Sequence, residues 1–157
     1  MENKKRNEII LALTCELLEK MNFSIDKAAV EDVNGDEEQA VLVSINVENP
    51  ASLIGFRGKN LAAIQLVLSL MVKNKLGDWI RVILDVNNYR GEQKTRLEAM
   101  AKSLADKVVA TGKEVQMASM SSFERRLCHM AIADRTDITS ESEGEGEDRH
   151  IVIKLKV

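Results

Sequence analysis

Hydrophobic residues recur along the chain at two spacings, which predict helices in some stretches and strands in others. In residues 2–21 they recur every three or four positions, as one face of a helix requires. Residues 24–31 and 40–47 are instead strand-like, and Asn34-Gly35-Asp36 between them is a turn signal typical of a hairpin. In the second run Val41, Val43, Ile45 and Val47 alternate with more polar positions, so one sheet face is expected to be buried.

The next stretch predicts a short helix, a glycine loop, a longer helix and a strand. Pro50 suits the start of a helical turn over residues 51–54, and Gly55-Phe56-Arg57-Gly58 follows at once. The longer helix has its inner face at Leu61, Ile64, Leu68 and Met71/Val72, and Gly77 is placed to end it. Residues 79–86 predict a strand. About the first 86 residues thus form a small α/β unit.

The second half predicts another set of alternating elements. A helix is expected over residues 91–111 with Gly112 as its stop, then a short strand near residues 114–118. Ser121 stands three residues before Glu124, a capping-box pattern that begins a helix to about residue 134. Residues 137–141 and 150–157 predict two final strands. The apolar stripe expected to hold the capped helix on its domain is Phe123, Leu127, Met130 and Ala131.

These elements predict an α+β protein of two small modules. The first is a three-stranded sheet with helices on one face, and the second is a smaller α/β module. We place the boundary between the modules near Asn87-Asn88. The first module is then residues 23–88 and the second is residues 89–157. The N-terminal helix at residues 1–22 belongs to the first module or packs on it.

Composition limits the classes of protein that fit. The 157 residues are 45% apolar, enough for a core, and the net charge of −3 argues against a nonspecific polyanion binder. The charge is segregated, however, because residues 31–38 and 141–148 hold ten of the 25 acidic residues and no basic one, which leaves a net +7 elsewhere. The two cysteines form no Cys-x-x-Cys pair, so neither a disulfide framework nor a zinc site is indicated. The sequence shows no targeting segment, and residues 61–72 are too short to span a membrane, so we expect a cytoplasmic protein.

The glycine loop is the first candidate site. Gly55 and Gly58 lie three residues apart between helices, where they permit a tight turn and close approach of a sugar-phosphate backbone. Arg57 and Lys59 add positive charge, and residues 52–81 carry five basic residues against one acidic residue, a local net charge of +4. The helix that follows offers unpaired N–H groups to phosphate. A nucleotide-binding enzyme is disfavoured, because no Gly-x-x-x-x-Gly-Lys-Ser/Thr or Gly-x-Gly-x-x-Gly motif is present and this loop follows a helix.

Residues 24–86 resemble a type II KH domain, most closely in Ser52-Leu53-Ile54-Gly55-Phe56-Arg57-Gly58-Lys59-Asn60-Leu61. The resemblance implies that this loop clamps the backbone of about four nucleotides, with residues 54–59 as the RNA contacts. Phe56 departs from the basic or polar residue usual in the family. Its ring is expected either to weaken attraction for phosphate, to stack on a base or to fold back onto the domain.

A second candidate site lies on the predicted capped helix. Arg125 and His129 are four residues apart and therefore project from one helix face, where two donors can grip phosphate. A solvated basic face with a buried histidine is the alternative. Arg-x-x-x-His, followed by Ser142-Glu143-Gly144 and by Arg149 before a terminal strand, resembles the R-three-H domain, a single-stranded nucleic-acid module.

A KH domain followed by this module resembles the bacterial Jag family of RNA-binding proteins, as does the linker from Tyr89-Arg90 to Leu97-Glu98-Ala99. Two positions depart from the family. Ser121-Ser122 stands where a proline is common, and Gly91-Glu92-Gln93 is less basic than the usual linker. The resemblance implies a post-transcriptional regulator or RNA chaperone that influences cell shape, with a small stand-alone KH protein or a second copy of the chain as further partners.

We therefore expect a protein that binds single-stranded RNA, or single-stranded DNA as the alternative for the second module. The RNA contacts are Ile54, Gly55, Phe56, Arg57, Gly58, Lys59, Arg125, His129 and Arg149. No orienting carboxylate or nucleophile can be assigned to His129, so we expect no enzymatic activity, cofactor or metal. The alternative is a ribosome-associated or dimerising protein-interaction module with little affinity for RNA.

Overall fold

A computed structural model describes residues 2–33 and 40–156. The chain divides into two compact units, Met1–Arg90 and Gly91–Val157. The helices are α1 (Glu2–Lys20), α2 (Ala51–Ile54), α3 (Lys59–Leu76), α4 (Tyr89–Thr111) and α5 (Ser122–Ala131), and the strands are β1 (Ile25–Val33), β2 (Ala40–Val47), β3 (Arg81–Val86), β4 (Val115–Gln116), β5 (Ile138–Glu143) and β6 (His150–Leu155). Short 3₁₀ turns lie at Phe56–Gly58 and Gly146–Asp148. The fold is mixed α+β, as the sequence predicts.

Unit 1 is built on a three-stranded sheet in the order β1-β2-β3. Strands β1 and β2 are antiparallel, which confirms the predicted pairing, whereas β2 and β3 are parallel because α2 and α3 connect them. The predicted turn at residues 34–36 lies outside the described residues. Strand β2 buries alternate side chains, as its sequence predicts, and α1 and α3 contact both the sheet and each other. The core residues of unit 1 include Ile10, Leu18, Val43, Leu53, Leu68 and Leu84.

Strand β3 is shorter than the sequence predicts, because it begins at Arg81 and leaves Trp79 outside the sheet. The Trp79 side chain is exposed, and the Lys73 ammonium lies 5.5 Å from its ring centroid. Helix α3 ends as predicted at Gly77, which adopts a left-handed φ of 85° and donates its N–H to the carbonyl of Lys73.

Residues Ala51–Leu76 are long and apolar enough to cross a membrane by length and composition alone. The stretch is not one straight helix, because the glycine loop separates α2 from α3. Helix α3 buries Leu61, Ile64, Leu68, Ser69 and Val72, and a core helix of a folded domain passes the same test of length and composition. We therefore describe α3 as the core helix of unit 1.

Unit 2 packs α4 and α5 around a second sheet in the order β4-β6-β5, whose two pairings are antiparallel. Helix α4 begins at Tyr89, two residues before the predicted start, because the Asp85 carboxylate accepts a hydrogen bond from the Arg90 N–H. Strand β4 has two residues, although the Met117 N–H still donates to the Ile151 carbonyl beyond its end. The core of unit 2 consists of Leu97, Ala101, Ala105, Val108, Met117, Cys128, Ile132, Ile138, Ile151 and Ile153.

Helix α5 begins with the predicted capping box, but the face that it turns to the core is that of Glu124 and Cys128 and not that of Phe123 and Met130. The Ser121 hydroxyl accepts from the Glu124 N–H, and the Glu124 carboxylate accepts from the Ser121 N–H at 2.7 Å. Glu124 is itself buried, where the Gln93 side chain donates to it, and Cys128 lies one turn further along the same face. This orientation leaves Phe123 and Met130, both predicted to hold the helix on its domain, 59% and 62% exposed. The helix also ends at Ala131, three residues earlier than predicted.

Candidate nucleic-acid interface

The glycine loop has three residues with positive φ angles, a conformation that glycine adopts without strain and other residues do not. Gly55 has φ 71° and ψ −176°, and both Arg57 (φ 52°) and Gly58 (φ 77°) are left-handed. A Cβ atom at Gly55 would lie 2.5 Å from Cγ of Asn60, whose side chain crosses the loop and donates to the Ser52 carbonyl at 2.8 Å. The loop is therefore held in shape by Asn60, and Gly55 is required both for its dihedral angles and for that contact.

Tyr89 supports the other glycine of the loop. A Cβ atom at Gly58 would lie 3.3 Å from the Tyr89 ring and 3.5 Å from its hydroxyl, so the ring lies directly against the loop backbone. Tyr89 also packs against the core of unit 1. Gly58 is the N-cap of α3 and has no side chain to cap it, which leaves the positive end of the helix dipole beside Arg57 and Lys59.

The side chains of the loop divide into one that is anchored and three that are more open to solvent. Ile54 packs on the core, whereas Phe56, Arg57 and Lys59 stand at the surface. The Phe56 ring is 72% exposed, and the Arg57 guanidinium carbon lies 5.1 Å from the ring centroid, within the range of a cation–π contact. The expectation that this ring folds back onto the domain is therefore wrong, because the ring stands out from the surface beside a cation.

The second candidate cluster brings Arg125 and Arg149 together through the backbone of Met120. The Arg125 guanidinium donates to the Met120 carbonyl at 2.7 Å, and the Met120 N–H donates to the Arg149 carbonyl at 3.1 Å. Residues 120 and 149 meet because the pairing between β4 and β6 continues in irregular form past the end of β4. Two arginines far apart in sequence are thereby placed at one edge of unit 2.

Strand β5 completes this cluster with two serines. His129 Nδ1 lies 2.7 Å from the Ser140 hydroxyl, and the Arg149 Nε donates to the Ser142 hydroxyl at 2.9 Å. Burial, and secondarily the positive charge of Arg125, lowers the pKa of His129 below its ordinary value, so the neutral imidazole is favoured at neutral pH. Met120 and strand β5 thus connect Arg125, His129 and Arg149, and Ser140 is added to them, while their role as RNA contacts stays a prediction.

Gly144 allows the turn that returns Arg149 to Ser142. Its φ is 87°, and a Cβ atom there would lie 3.0 Å from the Asp148 carbonyl oxygen and 3.2 Å from the Arg149 Cα. Any larger residue would therefore push the backbone that carries Arg149 away from strand β5.

Four basic residues of unit 2 are held by partners of two different kinds. Arg135 is held by the carboxylates of Asp106 and Asp137, and Lys154 by those of Glu141 and Glu143. Arg125 and Arg149 are instead held by a backbone carbonyl and a serine hydroxyl, and neither forms an ion pair with a carboxylate of the described residues. A neutral partner orients a guanidinium without cancelling its charge, so these two charges remain available to an anion.

The alternation of strand β5 separates two acidic residues, Glu141 and Glu143, from this cluster. Glu141 and Glu143 are opposite Val152 and His150 of β6, whereas Ser140 and Ser142 are opposite Ile153 and Ile151 on the other face. Part of the acidic segment at residues 141–148 is thus in strand β5, with the carboxylates of Glu141 and Glu143 turned away from the serines.

Sequence reasoning missed the residues that position the others. Asn60 and Tyr89 hold the glycine loop, and Met120 and Ser140 hold Arg125 and His129. Serine at alternate positions of a strand otherwise rich in glutamate was the available signal for Ser140. The hydrogen bonds that link Met120 to the two arginines involve only its backbone, so its side chain gives no signal for them.

Comparison with known proteins places unit 2 in a defined class. Residues 95–155 match the model of the R-three-H domain family, so the chain carries an R-three-H domain. Three curated relatives share most of its length, and each is named RNA-binding protein KhpB. The relative from Clostridium symbiosum is 35% identical over 153 residues, which cover 97% of this chain and 69% of the relative. The chain belongs to the KhpB family.

The other two relatives extend further beyond the chain. The relative from Bacillus subtilis (strain 168) is 36% identical over 132 residues, 82% of this chain and 64% of its own length. The relative from Lactiplantibacillus plantarum is 30% identical over 150 residues, 96% of this chain and 46% of its own length. The matched region thus spans less than two thirds of these two relatives.

Proposed function

We propose that this protein binds single-stranded RNA through two surfaces, the glycine loop of unit 1 and the Arg125/His129/Arg149 cluster of unit 2. The main observation in support is that neutral partners orient Arg125 and Arg149. Two other cations of the same unit, Arg135 and Lys154, are instead paired with carboxylates. The names of the relatives, each an RNA-binding protein, support the proposal. Guanidinium groups of this kind donate hydrogen bonds to the phosphate oxygens of a nucleic-acid backbone.

We further propose that residues 23–88 form a type II KH domain. The support is the observed order of strands and helices, the β1-β2-β3 sheet and the Gly-x-x-Gly loop between two helices. In this arrangement the backbone of about four nucleotides lies along the loop. Gly55 and Gly58 permit the close approach, Arg57 and Lys59 attract the phosphates, and the exposed Phe56 ring stacks on a base.

Exchange of the loop charges tests the first surface. The double variant Arg57→Glu with Lys59→Glu should lose binding to a labelled single-stranded RNA of about a dozen nucleotides, long enough for the roughly four that such a loop holds. Lys102→Glu with Lys107→Glu is the matched control, since it changes the net charge equally on the exposed side of α4. Equal loss in both variants would show nonspecific attraction and would contradict the assignment of the loop.

The salt dependence of RNA binding gives an independent measure. For single strands, the logarithm of affinity falls by about 0.7 per neutralised phosphate for each logarithmic step in salt. Two to four phosphate contacts therefore predict a slope between about −1.4 and about −2.8. Fluorescence anisotropy in a series of KCl concentrations measures it, and a flat response would overturn the proposal of phosphate contacts. Parallel titrations with DNA of the same sequence separate RNA from single-stranded DNA.

A second candidate function is protein assembly, and the outer face of α3 favours it. Leu66, Val67 and Leu70 are 58%, 46% and 46% exposed on a helix whose opposite face is buried. We propose that this face meets another KH domain, either in a second copy of this chain or in a small stand-alone KH protein. Light scattering after gel filtration should show a dimer that Leu66→Glu with Leu70→Glu converts to a monomer. A monomeric parent, with no complex with an added KH protein, would refute this function.

Three broader expectations, one from the resemblance and two from the sequence itself, remain predictions. They are a cytoplasmic location, a role in post-transcriptional control that influences cell shape, and the absence of enzymatic activity, cofactor and metal. Fractionation of cells that express the chain, followed by sequencing of RNA crosslinked to it, tests the first two. Recovery of ribosomal components without other RNA would instead favour the ribosome-associated alternative.

A further inference from the structure

Strand β5 offers a hydroxyl to each of two proposed RNA-binding side chains. Ser140 contacts His129 and Ser142 contacts Arg149, so residues two apart on one strand face organise a helix residue and a loop residue. His129 Nδ1 is occupied by the Ser140 hydroxyl. Its Nε2 is not buried and makes no hydrogen bond within the described part of the chain. The imidazole is thus held by one nitrogen and presents the other to solvent.

We propose that Ser140 is a positioning residue whose hydroxyl donates a hydrogen bond to His129 Nδ1. The neutral imidazole then carries its proton on Nε2, and this N–H donates a hydrogen bond to a phosphate oxygen. This inference rests on the proposed RNA-binding function of the cluster. A neutral imidazole has one donor and one acceptor nitrogen, and the partner of one nitrogen determines the role of the other. If Ser140 accepted instead, Nε2 would present a lone pair, which repels a phosphate oxygen.

The surroundings of His129 favour a neutral donor over a second cation. Arg125 lies one helical turn away, and the burial of the ring and the positive charge of Arg125 both lower the pKa of His129. A neutral N–H donor adds a directed hydrogen bond to phosphate without repulsion from Arg125. It also replaces no counterion on the RNA, so it adds affinity that does not depend on salt.

Ser142 positions Arg149 in a related way. Its hydroxyl accepts from Nε, which is the inner nitrogen of the guanidinium, and the two terminal nitrogens make no hydrogen bond to the described residues. A guanidinium held at Nε can still donate two parallel bonds to one phosphate. The two serines thus orient one neutral and one charged donor from the same strand.

The free protein tests the positioning of His129 without any RNA. Imidazole ¹⁵N spectra of the full chain at pH 8 should show the tautomer protonated on Nε2 for His129, with His129→Gln used to assign the signal. Ser140→Ala should give a mixture of tautomers, and Ser140→Thr, which keeps the hydroxyl, should restore the parental spectrum. A parental signal from the tautomer protonated on Nδ1, or an unchanged spectrum in Ser140→Ala, would overturn the inference and leave the RNA-binding proposal standing.

RNA binding tests the consequence. Without Ser140 neither the tautomer nor the ring orientation is selected, so only a fraction of the molecules is competent and Ser140→Ala should weaken binding about two- to fourfold. Ser140→Thr should bind like the parent. The salt slope should be unchanged in Ser140→Ala and in His129→Gln, whereas Arg149→Gln should reduce its magnitude by about 0.7.

The two experiments separate the possible failures. If His129→Gln lowers the magnitude of the slope by about 0.7, His129 binds as a cation and the inference is wrong. If the tautomer is as expected but neither Ser140→Ala nor Arg149→Gln alters RNA affinity, this cluster does not bind RNA and the proposed function of unit 2 fails with it. Circular dichroism of each variant confirms that it is folded.

Discussion

Gly55 should be the glycine of the loop that tolerates a side chain least. The loss in free energy of unfolding in Gly55→Ala measures this intolerance. Its φ of 71° and ψ of −176° lie in a region essentially restricted to glycine, at a cost of about 1–3 kcal/mol for any other residue. The new Cβ would also meet Asn60 at 2.5 Å and displace the hydrogen bond to Ser52, worth about 1 kcal/mol. The expected loss in free energy of unfolding is therefore about 2–4 kcal/mol.

Gly77→Ala is the matched control for the backbone contribution. Gly77 also has a positive φ, of 85°, but apart from its immediate chain neighbours no atom of the described residues lies within 4 Å of the position its Cβ would take. The control should lose only about 1–2 kcal/mol, the cost of a left-handed alanine. Urea unfolding followed by Trp79 fluorescence measures both variants in the same unit of the protein, because Trp79 is the one tryptophan of the chain.

A second pair of variants, Asn60→Ala with and without Gly55→Ala, isolates the contact with Asn60. In an Asn60→Ala background the obstructing side chain is gone, so Gly55→Ala should cost only its backbone strain, about 1–3 kcal/mol. The double-mutant cycle should therefore show a coupling of about 1 kcal/mol. Equal losses for Gly55→Ala and Gly77→Ala, together with zero coupling, would refute the argument that Asn60 requires a glycine at position 55.

Three further predictions concern unit 2. Gly144→Ala should lower the melting temperature by several degrees and weaken RNA binding, because it strains the turn and displaces Arg149; unchanged calorimetry and anisotropy would contradict this. Because the pKa of folded His129 lies below its ordinary value, the stability it contributes is complete above about pH 6.5 and falls as the pH drops towards the folded pKa. The parent, compared with His129→Gln in urea on either side of that value, should lose more stability on acidification; parallel losses would show that the sign is wrong. Burial raises the pKa of the Cys128 thiol to about 11, so iodoacetamide at pH 8 should modify half-buried Cys15 first, as peptide mass analysis will show.

The elements that the sequence predicts well are those whose signals are local. The alternation in β2, the glycine that ends α3 and the capping box of α5 all need only residues within a few positions of each other. Each was found where the sequence predicts it, because backbone hydrogen bonds and side-chain caps act over the same short range.

The misplaced features depend on contacts that are distant in sequence. Helix α4 begins early because Asp85 at the end of β3 caps it, and α5 turns its Phe123 outward because Gln93 binds the buried Glu124. Apolar periodicity alone favours burial of Phe123, since it cannot register a polar side chain that finds a partner 31 residues away.

The sequence pointed to the principal residues of the candidate sites, whose binding role stays a prediction, and not to the residues that support them. Gly55, Arg57, Arg125 and His129 stand in recognisable spacings, and the resemblance to known domains supplied their roles. Ser140 was not identified, because its contact with His129 depends on how strand β5 folds against α5. Supporting residues of this kind become visible only when the tertiary structure is known.

Serine and glutamate alternate along β5. The register in which β5 pairs with β6 therefore determines whether the strand face beside His129 and Arg149 is neutral or negatively charged. A slip by one residue against β6 would move Glu141 and Glu143 to the face that now carries Ser140 and Ser142. Carboxylates would then lie beside His129 and Arg149, where they would occupy the donors and repel phosphate. Correct alignment of these two strands is therefore a condition for the proposed RNA contact of unit 2, and a misaligned molecule would keep only the proposed surface at the glycine loop of unit 1.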